Sequence, residues 1–521
     1  MNHLYFGDCL DILKQIHHKN KTGFIDLIYI DPPFNSKRNY NVLFESIDLK
    51  DATAQKQAFA DTWSNVSYID TINEIADLDK DLHTFLKTLS NLRVSDSAVA
   101  YLSTMAIRIH YMHKVLKDTG SFYLHCDPTM SHYLKVICDL IFGEKNFQNE
   151  IIWKRAISTG SSKSISKKFS SDADILLYYT KTSKFTFNMP FKKYGESYLS
   201  RFKFKDKKGE YRWQSLSTYS EETVKELEQK KEIRWNSNGN AEYKQYKQKL
   251  KGVAMNNIWD DINVINPMSN ERLGYPTQKP QALLERIIQA SSNEGDLIAD
   301  FFCGCGTTVA AAQLLKRNWL GVDISHLAVR LIAKRLVDTY GFEIKHQFKL
   351  DGFPQDIGSA KELAQNTDKG RFNFQEWVIE VLLNGVVNIK KVADGGYDGY
   401  LTFNISETQK EFVLIEVKSG NVNVKNIREF IHVIEKQKAA IGIFVCFEEQ
   451  VTQPMLKEIK QAGKYQYTGT GYQSDFEKIQ ICTVEDLMKN HMPKIPESTK
   501  TTFKSAKKSK NDDTASFGLF D

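Results

Sequence analysis

Three short stretches carry residue types that can do chemistry. The first is "LIYIDPPFN", Leu27–Asn35, where an apolar run meets Asp31, Pro32, Pro33 and Phe34. Two prolines remove two backbone donors and fix two φ angles, and each pushes the residue before it out of the helical region. The strand must therefore end at Asp31, with the carboxylate held at its edge. The second is "DFFCGCGTT", Asp300–Thr308, followed by "WLGVD", which ends at Asp323. Gly304 and Gly306 let the backbone turn sharply and approach a ligand closely. Asp323 lies 17 residues after Gly306, a distance at which a strand-end acid accepts hydrogen bonds from both hydroxyls of a ribose. A lone Gly-x-Gly is common. A strand, a glycine loop, a helix and a strand-end acid in succession point to a nucleoside cofactor. The third is "GGYDGYLTF" with "EFVLIEVKSG". Strand residues two apart face the same way, so Glu416 and Lys418 project together, and Asp398 ends the preceding turn. Asp398 and Glu416 can bind Mg²⁺ while Lys418 positions or polarises a water. A bare Glu-x-Lys is also a common surface ion pair.

The elements that must position these residues read as α/β. "LYFGD", "CLDILKQI" and "FIDLIYI" form a strand, a helix and a strand, which is a βαβ unit. The last run is apolar nearly throughout, as expected of a parallel strand covered on both faces. Residues 1–152 form a first catalytic part with a helical, partly polar insertion. They include the strand "GSFYLHCD", which ends near His125 and Asp127, and the helix "SHYLKVICDLIF". From Trp153 to Gly252 there are 23 Lys and Arg against 11 Asp and Glu, a net of +12 in a chain of net +6. Aromatics such as Tyr198, Phe204, Trp213 and Trp235 are interleaved with these lysines, and periodicity is weak. Residues 153–274 therefore read as a separate recognition domain for a polyanion, most simply nucleic acid. The α/β pattern returns at 275–352. A linker is expected over 353–371, a third domain over 372–490, and a disordered basic tail over 491–521. Seven scattered cysteines show no paired zinc spacing, and no apolar run reaches the roughly 18 residues of a membrane span. The chain reads as cytoplasmic and reduced, with no structural metal and no membrane.

The order of these landmarks resembles the beta class of amino-directed DNA methyltransferases, which use S-adenosylmethionine. "GDCLDIL", "IDPPFN", "FADTW", "SFYLHCDPTMSHYLK", "FQNEIIWKR", "YPTQKP" and "DFFCGCGTT" carry the likeness over Met1–Gly352. Within that class they are similar to type III modification subunits and their solitary relatives. The resemblance implies a Rossmann-like sheet with an inserted target recognition domain that binds double-stranded DNA. It implies that Phe302, Gly304, Gly306 and Thr307 surround the cofactor's methionine part, with Asp300 at the loop's base. Asp323 would hold the ribose, Asp8 would approach the adenine, and Thr277 and Lys279 would lie beside the methionine end. Asp31 and the Pro32 carbonyl would accept the target amine's two N–H bonds, Pro33 would stiffen the turn, and Phe34 would stack on the base. His125 is placed near the pocket and reads from its own surroundings as a packed, hydrogen-bonded histidine. No cysteine has the Pro-Cys setting of C5-cytosine chemistry. The third domain resembles the Mrr-like branch of PD-(D/E)xK nucleases, an α/β restriction-endonuclease-like fold. The expected activity is adenine-N6 methylation in restriction or phage defence, with either Mg²⁺-dependent cleavage or DNA binding alone from the third domain. Two rivals stand beside it. One is a modification subunit whose partner cleaves, since no G-x-x-x-x-G-K-[ST] signature is present. The other is an idle DNA-binding scaffold. A homodimer or a restriction or defence partner subunit fits either arrangement.

Overall fold

The computed structural model describes residues 2–33 and 68–496, apart from 93, 156–166, 168, 170–171, 217–219, 267, 270, 274, 276–277, 355, 366, 384, 389–394, 407–408, 470–471 and 490. The first half gives β1 (Asn2–Phe6), α1 (Cys9–Lys19), β2 (Ile25–Ile30), α2 (Tyr68–Leu78), α3 (Lys80–Asn91) and α4 (Asp96–Val115). It continues with β3 (Leu116–Cys126), α5 (Ser131–Phe142), β4 (Phe147–Lys154) and β5 (Ala173–Thr180). After a separate unit come β6 (Ile258–Trp259), α6 (Gln281–Ser291), β7 (Leu297–Asp300), α7 (Thr307–Leu314), β8 (Asn318–Asp323), α8 (His326–Tyr340) and β9 (Phe348–Asp351).

These strands make one nine-stranded sheet in the order β6-β4-β5-β3-β2-β7-β8-β1-β9. The run from β3 to β9 is parallel, and β5 is antiparallel to both β3 and β4. Leu27, Ile28, Tyr29 and Ile30 are buried because helices cover both faces of the centre. One core joins α1, α4 and α5 to β2 and β3 through Leu13, Ile28, Leu102, Met105, Leu124 and Ile137.

Two expected boundaries move. Residues Phe187–Asn257 alone form the second compact unit. The expected recognition domain at 153–274 began too early and ended too late, because β5 and β6 complete the main sheet. The run "ADILLYYT" is buried almost throughout, but the surrounding lysines hid its strand character. The compact unit has a four-stranded antiparallel sheet (Phe204–Asp206, Gly209–Ser215, Ala241–Tyr246 and Ile233–Trp235, in that order) and a helix at Glu221–Gln229.

The expected linker at 353–371 is largely helical, with helices at Ile357–Gln365 and Thr367–Glu376. Asp356 starts the first by accepting Ser359 N–H at 2.7 Å, and Ala360 and Ala364 bury one face four residues apart. Its glycines and polar residues masked that signal. The chain then winds as a π-helix over Trp377–Leu382. A second sheet follows, in the order Val386–Val387, Gly399–Asn404, Lys410–Val417, Ile441–Cys446, Ile479–Thr483. Helix Val424–Lys436 covers it with Ile427, Phe430 and Ile434. The Arg330 guanidinium on α8 donates to the Glu380 carbonyl of the π-helix, and burial pushes its pKa down to about 10. Among the described residues no helix is long and apolar enough to cross a membrane. The expected basic tail lies outside the described residues from 497 onward.

Candidate active site

Register brings the predicted acids to one edge. Ile28 pairs with Ala299, Asp300 with Gly321, and Phe6 with Asp323. Asp31, Asp300 and Asp323 therefore finish neighbouring parallel strands at their carboxyl ends, where open α/β sheets bind ligands.

The glycine loop is held from beneath. The Asp300 carboxylate accepts the Phe302 N–H at 2.9 Å and the Thr308 hydroxyl at 2.6 Å. Burial pushes its pKa up to about 7 against those two bonds, with the charges of Asp31 and Asp323 adding to the rise. Asp323 accepts the Gly304 N–H at 2.7 Å and the Ser325 N–H at 2.9 Å, and burial takes it to about 6. Gly304 and Gly306 have φ of +52° and +71°. A Cβ at Gly304 would lie 3.1 Å from the Tyr275 ring, and one at Gly306 would lie 2.6 Å from Ile332 Cγ1. Thr307 is buried, with its hydroxyl 3.4 Å from Arg335 Nη1. Arg335 also donates to the Cys305 carbonyl at 3.3 Å and to Gln281 Oε1 at 3.0 Å. Phe302 is half-buried against the main core.

At the β2 end, Asp31 forms an ion pair with Lys279, which precedes α6; the side chains are 18% and 12% exposed. Behind them the Tyr29 hydroxyl meets His125 Nδ1 at 2.9 Å, and His125 Nε2 meets Asp174 Oδ2 at 3.2 Å. Burial first, then the charges of Asp31, Asp300 and Asp174, push the Tyr29 phenol up, so it keeps its proton. Burial would raise Asp174 as well. The hydrogen bond and charge of His125, with Arg155 and Lys279, outweigh it and hold the carboxyl below its usual range. His125 is the packed, hydrogen-bonded residue the sequence suggested. Asp127 caps the next turn instead, accepting Met130 N–H at 3.2 Å.

Asp8 follows β1, where Gly7 N–H donates to the Asp323 carbonyl at 3.0 Å. Its carboxylate caps α1 through Leu10 N–H at 2.8 Å and pairs with buried Arg108 at 2.8 Å. Phe34 and Thr277 lie outside the described residues. Sequence reading missed Thr308, Arg335, Tyr29 and the pairing of Asp31 with Lys279. Only Thr308 had a local cue, its hydroxyl eight residues after Asp300 in the same motif.

In the second sheet, Asp398 sits one step beyond the Gly399–Ile415 pair, level with Glu416. Its carboxylate accepts the Val417 N–H at 2.7 Å, and Glu416 pairs with Lys418 at 2.5 Å. Two carboxylates, both already engaged, make a short donor set for Mg²⁺. Among the described residues no group of three or more His, Cys, Asp or Glu could hold a metal ion. The expectation of Mg²⁺ at Asp398 and Glu416 finds no support here.

A family model described as a DNA methylase (N6_N4_Mtase) matches residues 25–335, more than half of the chain. The chain belongs to this DNA methylase family. A second family model, described as a NACHT-associated inactive restriction endonuclease, matches residues 373–489 of the methylase. The expected endonuclease-like domain thus has a likeness, but to a type described as inactive. Among curated relatives, the type II methyltransferase M.EcaI of Enterobacter cloacae is 31% identical over 45% of this chain and 57% of its own length. The Mod subunit of the type III enzyme StyLTI of Salmonella typhimurium is 24% identical over 60% of this chain and 50% of its own. The methylase thus spans about half the length of these relatives. The DNA adenine methyltransferase YhdJ of Escherichia coli is 26% identical over 63% of this chain and 81% of its own. The solved M1.HpyAVI–SAM complex aligns with 64% of this chain and 99% of its own, at 16% identity and a TM-score of 0.32.

Proposed function

We propose that this methylase is a site-specific DNA methyltransferase that moves a methyl group from S-adenosylmethionine to the N6 amino group of a flipped adenine. It would act in the cytoplasm, in restriction–modification or phage defence. The observation that carries this reading is the shared strand edge, which sets Asp31 beside the glycine loop and Asp323. The loop fits the cofactor chemically. Two positive-φ glycines let the loop turn tightly at the strand edge, and the Asp323 carboxylate stands there as an acceptor for a ribose hydroxyl. S-adenosylmethionine supplies an electrophilic methyl group when bound.

The remaining chemistry belongs to the chain. An exocyclic amine is a poor nucleophile because its lone pair is conjugated into the ring. Asp31 and the Pro32 carbonyl accept its two N–H bonds and draw the nitrogen toward a tetrahedral geometry. Asp31 is also the acceptor for the proton that the nitrogen loses. Phe34 stacks on the base, worth about 1–3 kcal/mol, against the few kcal/mol that flipping costs. Alignment and electrostatics do the rest. Adenine is favoured because the motif's first residue is Asp31, where cytosine-N4 members of the class often carry Ser. The named adenine activity of one relative agrees.

Incubation of DNA with labelled S-adenosylmethionine should give labelled product, and mass spectrometry of the digest should show N6-methyladenine. Finding only N4-methylcytosine would overturn the adenine assignment. No transfer at all would leave the scaffold rival standing.

The Phe187–Asn257 unit is the proposed DNA reader. Lys203, Lys205 and Lys207 are exposed on and beside its first strand, and Trp235 is 67% exposed. Other cations are internally committed: Lys208 pairs with buried Glu232, Lys244 with Asp206, and Arg234 lies over Trp213. Reversing Lys203, Lys205 and Lys207 to Glu should weaken DNA binding and lower the salt slope by about three units, one per lost phosphate contact. Unchanged affinity and slope would place the DNA elsewhere.

The C-terminal domain keeps the Asp398, Glu416, Lys418 order of an Mrr-like PD-(D/E)xK core. With its carboxylates engaged, we read it as a non-cleaving module whose partner subunit would supply cutting. The same incubations with Mg²⁺ should leave the DNA uncut.

A further inference from the structure

The ion pair between Lys279 and Asp31 has a consequence for how the site fills. The Lys279 ammonium donates to Asp31 Oδ2, an oxygen of the carboxylate proposed to receive the target amine. An ammonium there stands where the base's amino group must come. Its chain neighbours are anchored: the Gln278 side-chain amide donates to the Glu271 carbonyl at 2.8 Å and accepts Leu273 N–H at 2.9 Å, and Pro280 caps the start of α6.

We propose that Lys279 is a displaceable placeholder. Its ammonium occupies the amino-group position on Asp31 until the base enters and displaces it. In the empty site it keeps the partly buried Asp31 carboxylate paired, and its departure opens the acceptor when it is needed. Lys279 is thus a positioning residue that acts through Asp31, in place of the methionine-end contact that the resemblance implied.

This inference rests on the methyltransferase reading, and the two can be told apart by binding alone. In-line transfer puts the sulfonium beyond the amine by a near-attack contact and one C–S bond, roughly 5 Å from the nitrogen. An ammonium at the amine's place therefore opposes the sulfonium of S-adenosylmethionine. S-adenosylhomocysteine shares the donor's charged amino-acid end but has a neutral thioether sulfur, so that one repulsion is absent.

Both ligands are titrated calorimetrically into wild type, Lys279→Gln, Lys279→Met and Lys279→Arg. Removing the charge should shift the relative affinity toward S-adenosylmethionine by about tenfold or more, since two unit charges ~5 Å apart give roughly fourfold in bulk water and about a few-hundredfold at an effective dielectric of ~20. Binding of S-adenosylhomocysteine should hold, and Lys279→Arg should keep the wild-type ratio. A ratio unchanged in both the Gln and the Met variant overturns the placeholder. Loss of S-adenosylhomocysteine from both assigns Lys279 a purely structural role and overturns it too. If wild type binds neither ligand, the methyl-donor reading itself has failed, and the inference falls with it.

Discussion

Replacing Asp31 by Ala should abolish methyl transfer while leaving the cofactor site standing. The carboxylate ends β2 and is proposed to act on the target amine, whereas the proposed cofactor cradle is built from β7, β8 and the loop between them. Removing one preorganised electrostatic partner of a reacting group costs about 10²–10³-fold in rate in comparable cases. Asp31 is expected to lie at or above that range, since it both polarises the amine and takes its proton. Binding of S-adenosylhomocysteine should stay within about threefold, or ~0.7 kcal/mol. Its thioether sulfur, unlike the donor's sulfonium, carries no charge to register the lost carboxylate. Single-turnover transfer and calorimetric binding measure the two halves. Near-normal turnover in Asp31→Ala would remove the residue from the mechanism.

The second large effect is the opposite split. Gly306→Val should lose the cofactor first. Its φ of +71° costs a non-glycine residue about 1–2 kcal/mol, and more for a β-branched one. The new Cβ would meet Ile332 Cγ1 at 2.6 Å, and Ile332 is fully buried. In a close-packed interior neither side can give without shifting α8 or the loop. Strain and overpacking together should lower stability by about 2–4 kcal/mol and weaken S-adenosylhomocysteine at least tenfold. Thermal melting and the same calorimetry test both. A variant that binds as wild type does would mean the cofactor does not sit on this loop.

Much of this site was readable because its signals are local. A parallel strand covered on both faces is a continuous apolar run, so Leu27–Ile30 announced itself, and the two prolines fixed where it had to stop. The glycine loop and Asp323 follow one another within a single strand-loop-helix-strand unit. Lys279 and Asp31, by contrast, are 248 positions apart, and only the folded chain brings them together. Tyr29 looked like one more apolar strand residue until its hydroxyl found His125. Asp8 was expected at the adenine; the structure gives its carboxylate to the α1 cap and to Arg108, a partner 100 residues away. The lysine-rich context of β5 and the glycines around Ile357–Gln365 misled in the same way. Composition there spoke for the surroundings and not for the buried face.

One helix makes this protein harder to divide than its domain list suggests. Along α8, Ile332 backs Gly306, Arg335 ties the loop to the start of α6, and Arg330 reaches the Glu380 carbonyl in the next domain. The C-terminal region is thereby spliced to the floor of the proposed cofactor site and does not hang from it. A protein engineer who cut before Trp377, or grafted another effector there, would strip Arg330 of that carbonyl and open its hydrophobic seat to water. The loss would be felt two residues along the same helix, at Ile332 under the loop. Exchange of parts in this chain has to respect that shared splint, so a working chimaera needs the π-helical turn as part of its methylase half.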